Sequence, residues 1–587
     1  MKSSLSLVII LSFFSSNAFA KTWDVAVLYW SMKIEGQVAM RKGFEEEINR
    51  FNGKGKDKIN LISYVGGEGR KGILNQVVQF DEALKKSPHA IVIQPTDNSA
   101  LGRGLQTANE KKIPVIAYDQ YIVNGVLESF ITSDNYQAGR DNGDYIDGLF
   151  DRNQEIRLVV FEYPKVSSTI DRVDGFFDAL RTRGRKFHVL RRYEAVDPDS
   201  GAAAVKQFLK DFPVKGSVDL ILTVNDGGGL SIVKSLWEKK RTEIRHATFD
   251  GDPLSIENIK NKRLTVIDSA QFCAELGRES ARTLIAKLNK ESVADKKLIP
   301  TFAVTEKTLS SYPGWMGHPD KGPIVSTDKK KLLPVPARQP TQVYKDASRL
   351  IIKIGVAPLC PYLCEKGPGL WSGYIYDIIK DVAQKEDFEV EFESIPNSRL
   401  ISSLKTRKIN YVIIPADMVR YLDDIRIVGP KLGVNYTGAL VSPGKKDPLI
   451  DALFIQDKKV VYADLGLDST NIEGEGVLPS RSTKLTGADA ADRMIKMIGD
   501  RRAEIALGDY NVLRYFLARK PMVSLQLLPT SLTGFNSLVL VSVPKEPEFG
   551  YFPRHLENWF LQSRENGTLE TILRRYNLKD WKIFNRD

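Results

Sequence analysis

Cysteine and histidine are scarce in this chain: three and five among 587 residues. The histidines (His89, His188, His246, His318 and His555) stand far apart with no H-x-x-x-H or H-E-x-x-H pair, which argues against a metal centre. No G-x-S-x-G elbow and no G-x-x-x-x-G-K-[ST] loop occurs. The glycine clusters at 66–69 and 227–229 lack nucleotide-fingerprint spacing and read as turns near a cleft. Neither catalysis nor a cofactor is therefore expected. Past the first twenty residues no apolar run approaches the length of a membrane-spanning helix. A basic helix with interleaved aromatics is also missing. The net charge of +11 comes from 84 basic and 73 acidic residues mixed along most of the chain, and the densest basic run, Lys329–Lys331, lies in a Pro-rich stretch. A nucleic-acid partner is not expected. Of the cysteines, Cys360 and Cys364 can bridge if the loop between them bends, or stand as two thiols, and Cys273 sits in an apolar helical pattern as a small buried hydrophobe.

What is present begins with a leader. Lys2 is followed by the apolar run Leu5–Phe14 and then Ala18-Phe19-Ala20, the pattern of a secretory signal peptide over 1–20. The mature chain is expected to start near Lys21, in the periplasm, with cleavage after Ala20. The length predicts two or three domains. From Asp24 to about Asn289, short β-branched runs such as Val25–Tyr29, Ala90–Gln94, Val115–Tyr118, Leu158–Tyr163 and Leu220–Val224 alternate with helical periodicity, as in Ile73–Leu84 and Ala202–Leu209. That alternation predicts parallel sheets covered on both faces by helices, and the number of strands divides them into two lobes near residue 135. Residues 310–348 are rich in Pro, Gly and Lys and read as a linker. A second α/β unit follows over 349–583.

Six segments carry a resemblance over the first unit, residues 21–309. They are Asn75-Gln76 with Ala90-Ile-Val-Ile-Gln-Pro-Thr-Asp97; Pro114-Val-Ile-Ala-Tyr-Asp119; Ser133-Asp-Asn-Tyr-Gln-Ala-Gly139; Ile170-Asp-Arg-Val-Asp-Gly-Phe176; Thr223-Val-Asn-Asp226; and Thr248-Phe-Asp-Gly-Asp-Pro253. In this order they resemble the type I periplasmic binding proteins of the ribose and galactose kind. The resemblance implies that Asp119 and Asp250 accept hydrogen bonds from sugar hydroxyls and that Arg172 donates to ring or hydroxyl oxygens. It further implies amide contacts from Asn225 and Gln271, and a place for Trp30 against the apolar face of a ring. The chemistry is apt, because polyol hydroxyls both donate and accept and require carboxylate, amide and guanidinium groups in fixed directions. Asp119 and Asp250 also lie at the carboxyl ends of strands, where open α/β sheets bind ligands. Asp134 reads as a helix cap. The segment after the first strand, Tyr29-Trp-Ser-Met-Lys-Ile34, departs from the usual Asn with paired aromatics, which leaves room for a non-sugar polar ligand.

Residues 350–583 resemble a type II solute-binding domain of the polar amino-acid kind. The carriers are Gly355-Val-Ala-Pro358, Gly373-Tyr374 with Asp377-Ile378-Ile379, Ile409-Asn-Tyr-Val412 and Glu504-Ile-Ala-Leu-Gly-Asp-Tyr510. By that resemblance Arg420 clamps a ligand carboxylate, Asp509 holds an ammonium, and Tyr362 and Trp371 line the cleft. Asp417 replaces the family's Thr three residues before the Arg, and a surface ion pair of Arg420 with Asp423 or Asp424 is the other reading. The fold class implied is α/β, as two tandem bilobed periplasmic-binding-protein units, type I then type II, each of two doubly wound lobes joined by hinge strands. The function implied is capture of a sugar-like small molecule in the first cleft, with an amino acid or other polar solute in the second. Its partner is an inner-membrane permease of an ABC importer, or alternatively a sensor kinase or chemoreceptor.

Overall fold

In this computed structural model, residues 20–325 and 351–581 are described, apart from 387–388, 445–448, 464–477, 488, 531, 533 and 544–550. The leader ahead of Ala20 and the stretch 326–348 of the expected linker lie outside the described residues. Among the described residues no helix is long and apolar enough to cross a membrane.

The β-branched runs of the first half form two sheets. One places its strands in the order Ile324–Val325, Lys296–Ile299, Ser129–Ser133, Val115–Tyr118, Ala90–Ile93, Thr22–Tyr29, Lys58–Val65, parallel except at the first pair. The other runs Phe302–Val304, Thr265–Ala270, Arg245–Asp250, Leu220–Thr223, Ile156–Glu162, Phe187–Glu194, again parallel except at the first pair. Each sheet is doubly wound: its first strand in the chain sits between its second and third. Ligands in such sheets lie beyond the carboxyl ends of the strands, at that switch point. Both faces are covered, so alternate residues enter different cores. Val25, Val27 and Tyr29 pack with Phe44 and Leu276, while Ala26 and Leu28 pack with Phe80 and Leu105.

Up to Phe302 the chain crosses between these lobes three times. The chain leaves the first sheet at Ser133 for the helix Asn135–Asp147, which packs in the second lobe. It leaves the second at Ala270 for the helix Cys273–Leu288, which packs in the first, and it crosses once more between Ile299 and Phe302. Gly139 and Gly175 let the helices Asn135–Asp147 and Ser167–Thr182 meet backbone to backbone; a Cβ at Gly139 would collide with the Arg172 carbonyl oxygen. Side-chain caps start the helices that border the cleft. Asp134 accepts from the Gln137 N–H, and Asn225 accepts from the Gly228 N–H. Gly227–Gly229 therefore lie in the first turn of the helix Asp226–Glu238 and not in a free turn, because Asn225 supplies the acceptor that starts it.

The segment that follows is packed on the first unit as far as residue 325. The Trp315 indole donates to the Asp250 carbonyl at 2.5 Å, and Ile324–Val325 joins the first sheet.

The second half is built on a sheet with strands in the order Glu389–Ser394, Ile351–Val356, Tyr411–Pro415, Phe535–Ser542, Arg426–Val441, Ile505–Asp509, Val460–Ala463, Thr483–Leu485. The strand Arg426–Val441 is longer than the segment from 438 that its pattern suggests, since Gly429, Pro430 and Gly433 interrupt the alternation where the pairing shifts register. Its residues 426–436 pair with Phe535–Ser542, and its residues 437–441 pair with Ile505–Asp509 and Gln526–Pro529. Cys360 and Cys364 are joined as a disulfide, with Cα atoms 4.8 Å apart, at the base of the hairpin Cys364–Gly367 and Leu370–Ser372.

Candidate functional site

The sharp turns after two strands aim carboxylates at one point. Asp119 follows Val115–Tyr118 with φ 65°, and Asp250 ends Arg245–Asp250 with φ 111°. Both are backbone conformations that L-residues adopt at a cost, and such strain gathers where a side chain must be aimed. Two buried acids fasten the second turn. Asp268 accepts from the Gly251 N–H at 3.0 Å, and Asp226 accepts from the Asp252 N–H at 2.8 Å and from the Thr248 hydroxyl at 2.9 Å. Burial, with the charges of neighbouring acids, raises both pKa values, that of Asp268 to about 6.

Arg172 is 2% exposed and projects from the helix Ser167–Thr182 of the second lobe. Its Nη1 lies 2.9 Å from Asp250 Oδ1 and donates to the Val224 carbonyl at 2.6 Å, and its Nε donates to Asn135 Oδ1 at 2.9 Å. Gln271, at the second crossing, donates to Asp250 Oδ1 at 2.5 Å and accepts from the Ser133 hydroxyl at 2.7 Å. Asp119 reaches in from the first lobe and accepts from Gln94 Nε2 at 3.0 Å. Burial pushes its pKa up, against the pull of that hydrogen bond and of the Arg172 charge.

All six residues implied for the first cleft, Trp30, Asp119, Arg172, Asn225, Asp250 and Gln271, line one cavity of about 40 Å³ between the lobes. Asn225 is partly spent: its oxygen caps a helix, and its Nδ2 donates to the Val196 carbonyl at 2.8 Å. The cavity is close to one water's share of the liquid, about 30 Å³. Hydrogen bonds join the lobes beside it. Gln120 Nε2 donates to the Ser168 hydroxyl at 2.7 Å, and the Tyr121 N–H donates to the Ser167 hydroxyl at 3.1 Å. Sequence reading missed Gln94, Gln120, Asn135 and Ser168 as members of this site. Gln94 and Asn135 lie inside segments that carry the resemblance, and Gln120 directly follows Asp119, whereas nothing local marks Ser168.

In the second half the residues implied for a cleft separate. The Tyr362 hydroxyl bonds both Asp509 oxygens, at 3.0 and 2.9 Å, and receives the Asn511 amide at 3.1 Å. Burial pushes Asp509 up to about 7. Trp371 stands on the disulfide-based hairpin, with its ring 5.8 Å from that of Phe392. Arg420 is elsewhere. It is buried against the first half, its Nε 2.5 Å from Asp174 Oδ1, and it pairs with neither Asp423 nor Asp424. Its neighbour Tyr421 donates to Glu162 at 2.5 Å, and Arg181 donates to the carbonyl oxygens of Val419, Arg420 and Leu422. Arg420 thus serves contact between the halves, because an acid from the first unit reaches it.

Residues 25–292 match the family model described as a periplasmic binding protein domain. The match makes residues 25–292 similar to periplasmic-binding-protein domains. The domain is similar to the "Ribose import binding protein RbsB" of Salmonella typhimurium, 24% identical over 283 residues that make up 48% of this chain and 90% of that protein. It is also similar to the "Multiple sugar-binding periplasmic receptor ChvE" of Rhizobium radiobacter, 27% identical over 183 residues, 29% of this chain and 52% of the other. Among solved structures, an ABC transporter solute binding protein from Agrobacterium vitis with bound allitol matches at 20% identity. It covers 50% of this chain and 98% of that one, with a TM-score of 0.45. These relatives are named for binding and not for catalysis.

Proposed function

We propose that this protein is a periplasmic solute-binding protein that closes on a sugar or related polyol in its N-terminal cleft and serves an ABC importer. The observation that carries this reading is the meeting of Asp119 from one lobe with Arg172 and Asp250 from the other, in a domain whose relatives are named for ribose and other sugars. Carboxylates accept from ligand hydroxyls, the guanidinium donates, and Trp30 covers an apolar ring face. Ligand stabilises the closed form by its differential affinity for the two states. The leader over 1–20 delivers the chain to the periplasm, residues 310–348 connect the units, and the second half is a bilobed type II solute-binding unit. In that unit Tyr362 and Asp509 line the cleft, and the strand Arg426–Val441 passes between its lobes.

A second reading, docking on a sensor kinase or chemoreceptor, is favoured by one observation: the second half grips both lobes of the first. Arg70 pairs with Asp451, and Asn124 donates to the Tyr510 hydroxyl at 3.1 Å, on the first lobe. Asp174 and Glu162 are held on the second. Closure in the first unit thereby bears on the second.

A thermal-shift screen of the mature protein against pentoses, hexoses, linear polyols and amino acids tests the proposal. A polyol at 100 times its dissociation constant should add about 2.7 kcal/mol to the stability of the first unit, and Asp119→Asn and Asp250→Asn should each remove the shift. A shift from amino acids alone, or one that survives both substitutions, refutes it.

A further inference from the structure

A second cavity, of about 90 Å³, lies between the halves of the chain. Tyr121 and Asn124 face it from the first half, and Tyr374, Tyr436, Arg514 and Trp581 from the second. None of the ten residues implied for the two clefts is among its walls. We propose that this cavity is a binding site for a short aliphatic carboxylate of two to four carbons, held through Arg514.

Charge selects an anion. Arg514 is half-buried, and among the described residues its guanidinium has no carboxylate or carbonyl partner. Its charge is felt by the Tyr436 and Tyr510 hydroxyls. Asp580, the acid on the same wall, is already satisfied, because both of its oxygens accept from Arg564 at 2.9 and 3.0 Å. Lys579 adds a second cation at the exposed edge. A planar guanidinium fork without a partner matches a carboxylate, which it binds through two parallel hydrogen bonds.

Size and walls select the rest of the ligand. The volume is about three waters' share of the liquid, well below the roughly 150 Å³ that admits benzene. A two- to four-carbon chain fits this volume. The Tyr374 hydroxyl is spent on the Leu432 carbonyl at 2.9 Å, and the Trp581 indole on the Lys431 carbonyl at 3.1 Å. Both rings therefore offer apolar surface to an alkyl chain and no further donor to a second polar group.

Sodium propionate and propionamide, titrated into the full mature chain and followed by saturation-transfer NMR, test the site, with inorganic phosphate, which has no C–H signal of its own, added as a competitor of propionate. Propionate should bind and propionamide should not. Arg514→Gln should weaken propionate at least about tenfold, the loss of a charge-assisted pair, with an unchanged melting temperature in the absence of probe. Arg514→Lys keeps the charge and should recover part of the affinity. Equal binding of propionamide, preference for phosphate, undiminished binding to Arg514→Gln, or no recovery in Arg514→Lys would each overturn the proposal.

Discussion

Asp250, Arg172 and Gln271 form one hydrogen-bonded chain that stands ready for hydroxyl groups without leaving a buried charge unpaired. A ligand hydroxyl entering between them exchanges one set of charge-assisted hydrogen bonds for another, which favours polar ligands over apolar ones. Asp509 shows a different use of burial. Its pKa of about 7 against 3.8 for an ordinary Asp corresponds to on the order of 4 kcal/mol. The sign follows from the proton: the folded state binds it more tightly, so this stability is complete below about pH 4 and is lost as pH rises through 7. Urea midpoints should therefore fall between pH 5 and pH 8 in the wild type, and Asp509→Asn, which mimics the neutral acid, should flatten that dependence. A midpoint that rises over this range would contradict the assignment. Both carboxylates of the first cleft were legible because each ends a β-branched run. The roles of Asp226 and Asp268 beneath Asp250 were not, since buried acids in a turn look like any cap until the partner N–H groups are placed.

At the scale of elements, the N-terminal turn of the helix Ser167–Thr182 acts as a latch, with Ser167 and Ser168 meeting Tyr121 and Gln120 across the lobe boundary. Ser168→Ala leaves the Gln120 amide without its cross-lobe acceptor, at a cost of about 1 kcal/mol or somewhat more. Ligand affinity should fall roughly fivefold, seen in stopped-flow experiments mainly as faster release; unchanged release would remove Ser168 from the latch. The central strands of the first half were legible as short apolar runs between helical periods, because both of their faces are buried, whereas the edge strands Lys58–Val65 and Phe187–Glu194 carry exposed polar residues. The long strand Arg426–Val441 was legible only from Gly438 on, past Gly429, Pro430 and Gly433, which break the alternation before it.

At the scale of the whole molecule, one cluster of buried apolar side chains runs from Tyr121, Ile122 and Phe130 of the first half into Tyr374, Tyr436 and Trp581 of the second. Asp119 and Gln120 face the first cleft while Tyr121, Val123 and Asn124 face the cavity between the halves, so a single segment borders both. Arg420 marks where local reading stops. Its position after a strand matched a ligand clamp, but its partner Asp174 is 246 residues away in the chain, and no pattern around residue 420 announces it. The first unit, as proposed, is a clamp for a polyol. Calorimetric titration of the mature protein with pentoses, hexoses and linear polyols, alongside Arg172→Ala, measures this directly. One polyol class should bind at one site per chain in the wild type and show no heat of binding in the variant. Absence of binding by every polyol, or equal affinity in Arg172→Ala, would contradict the claim.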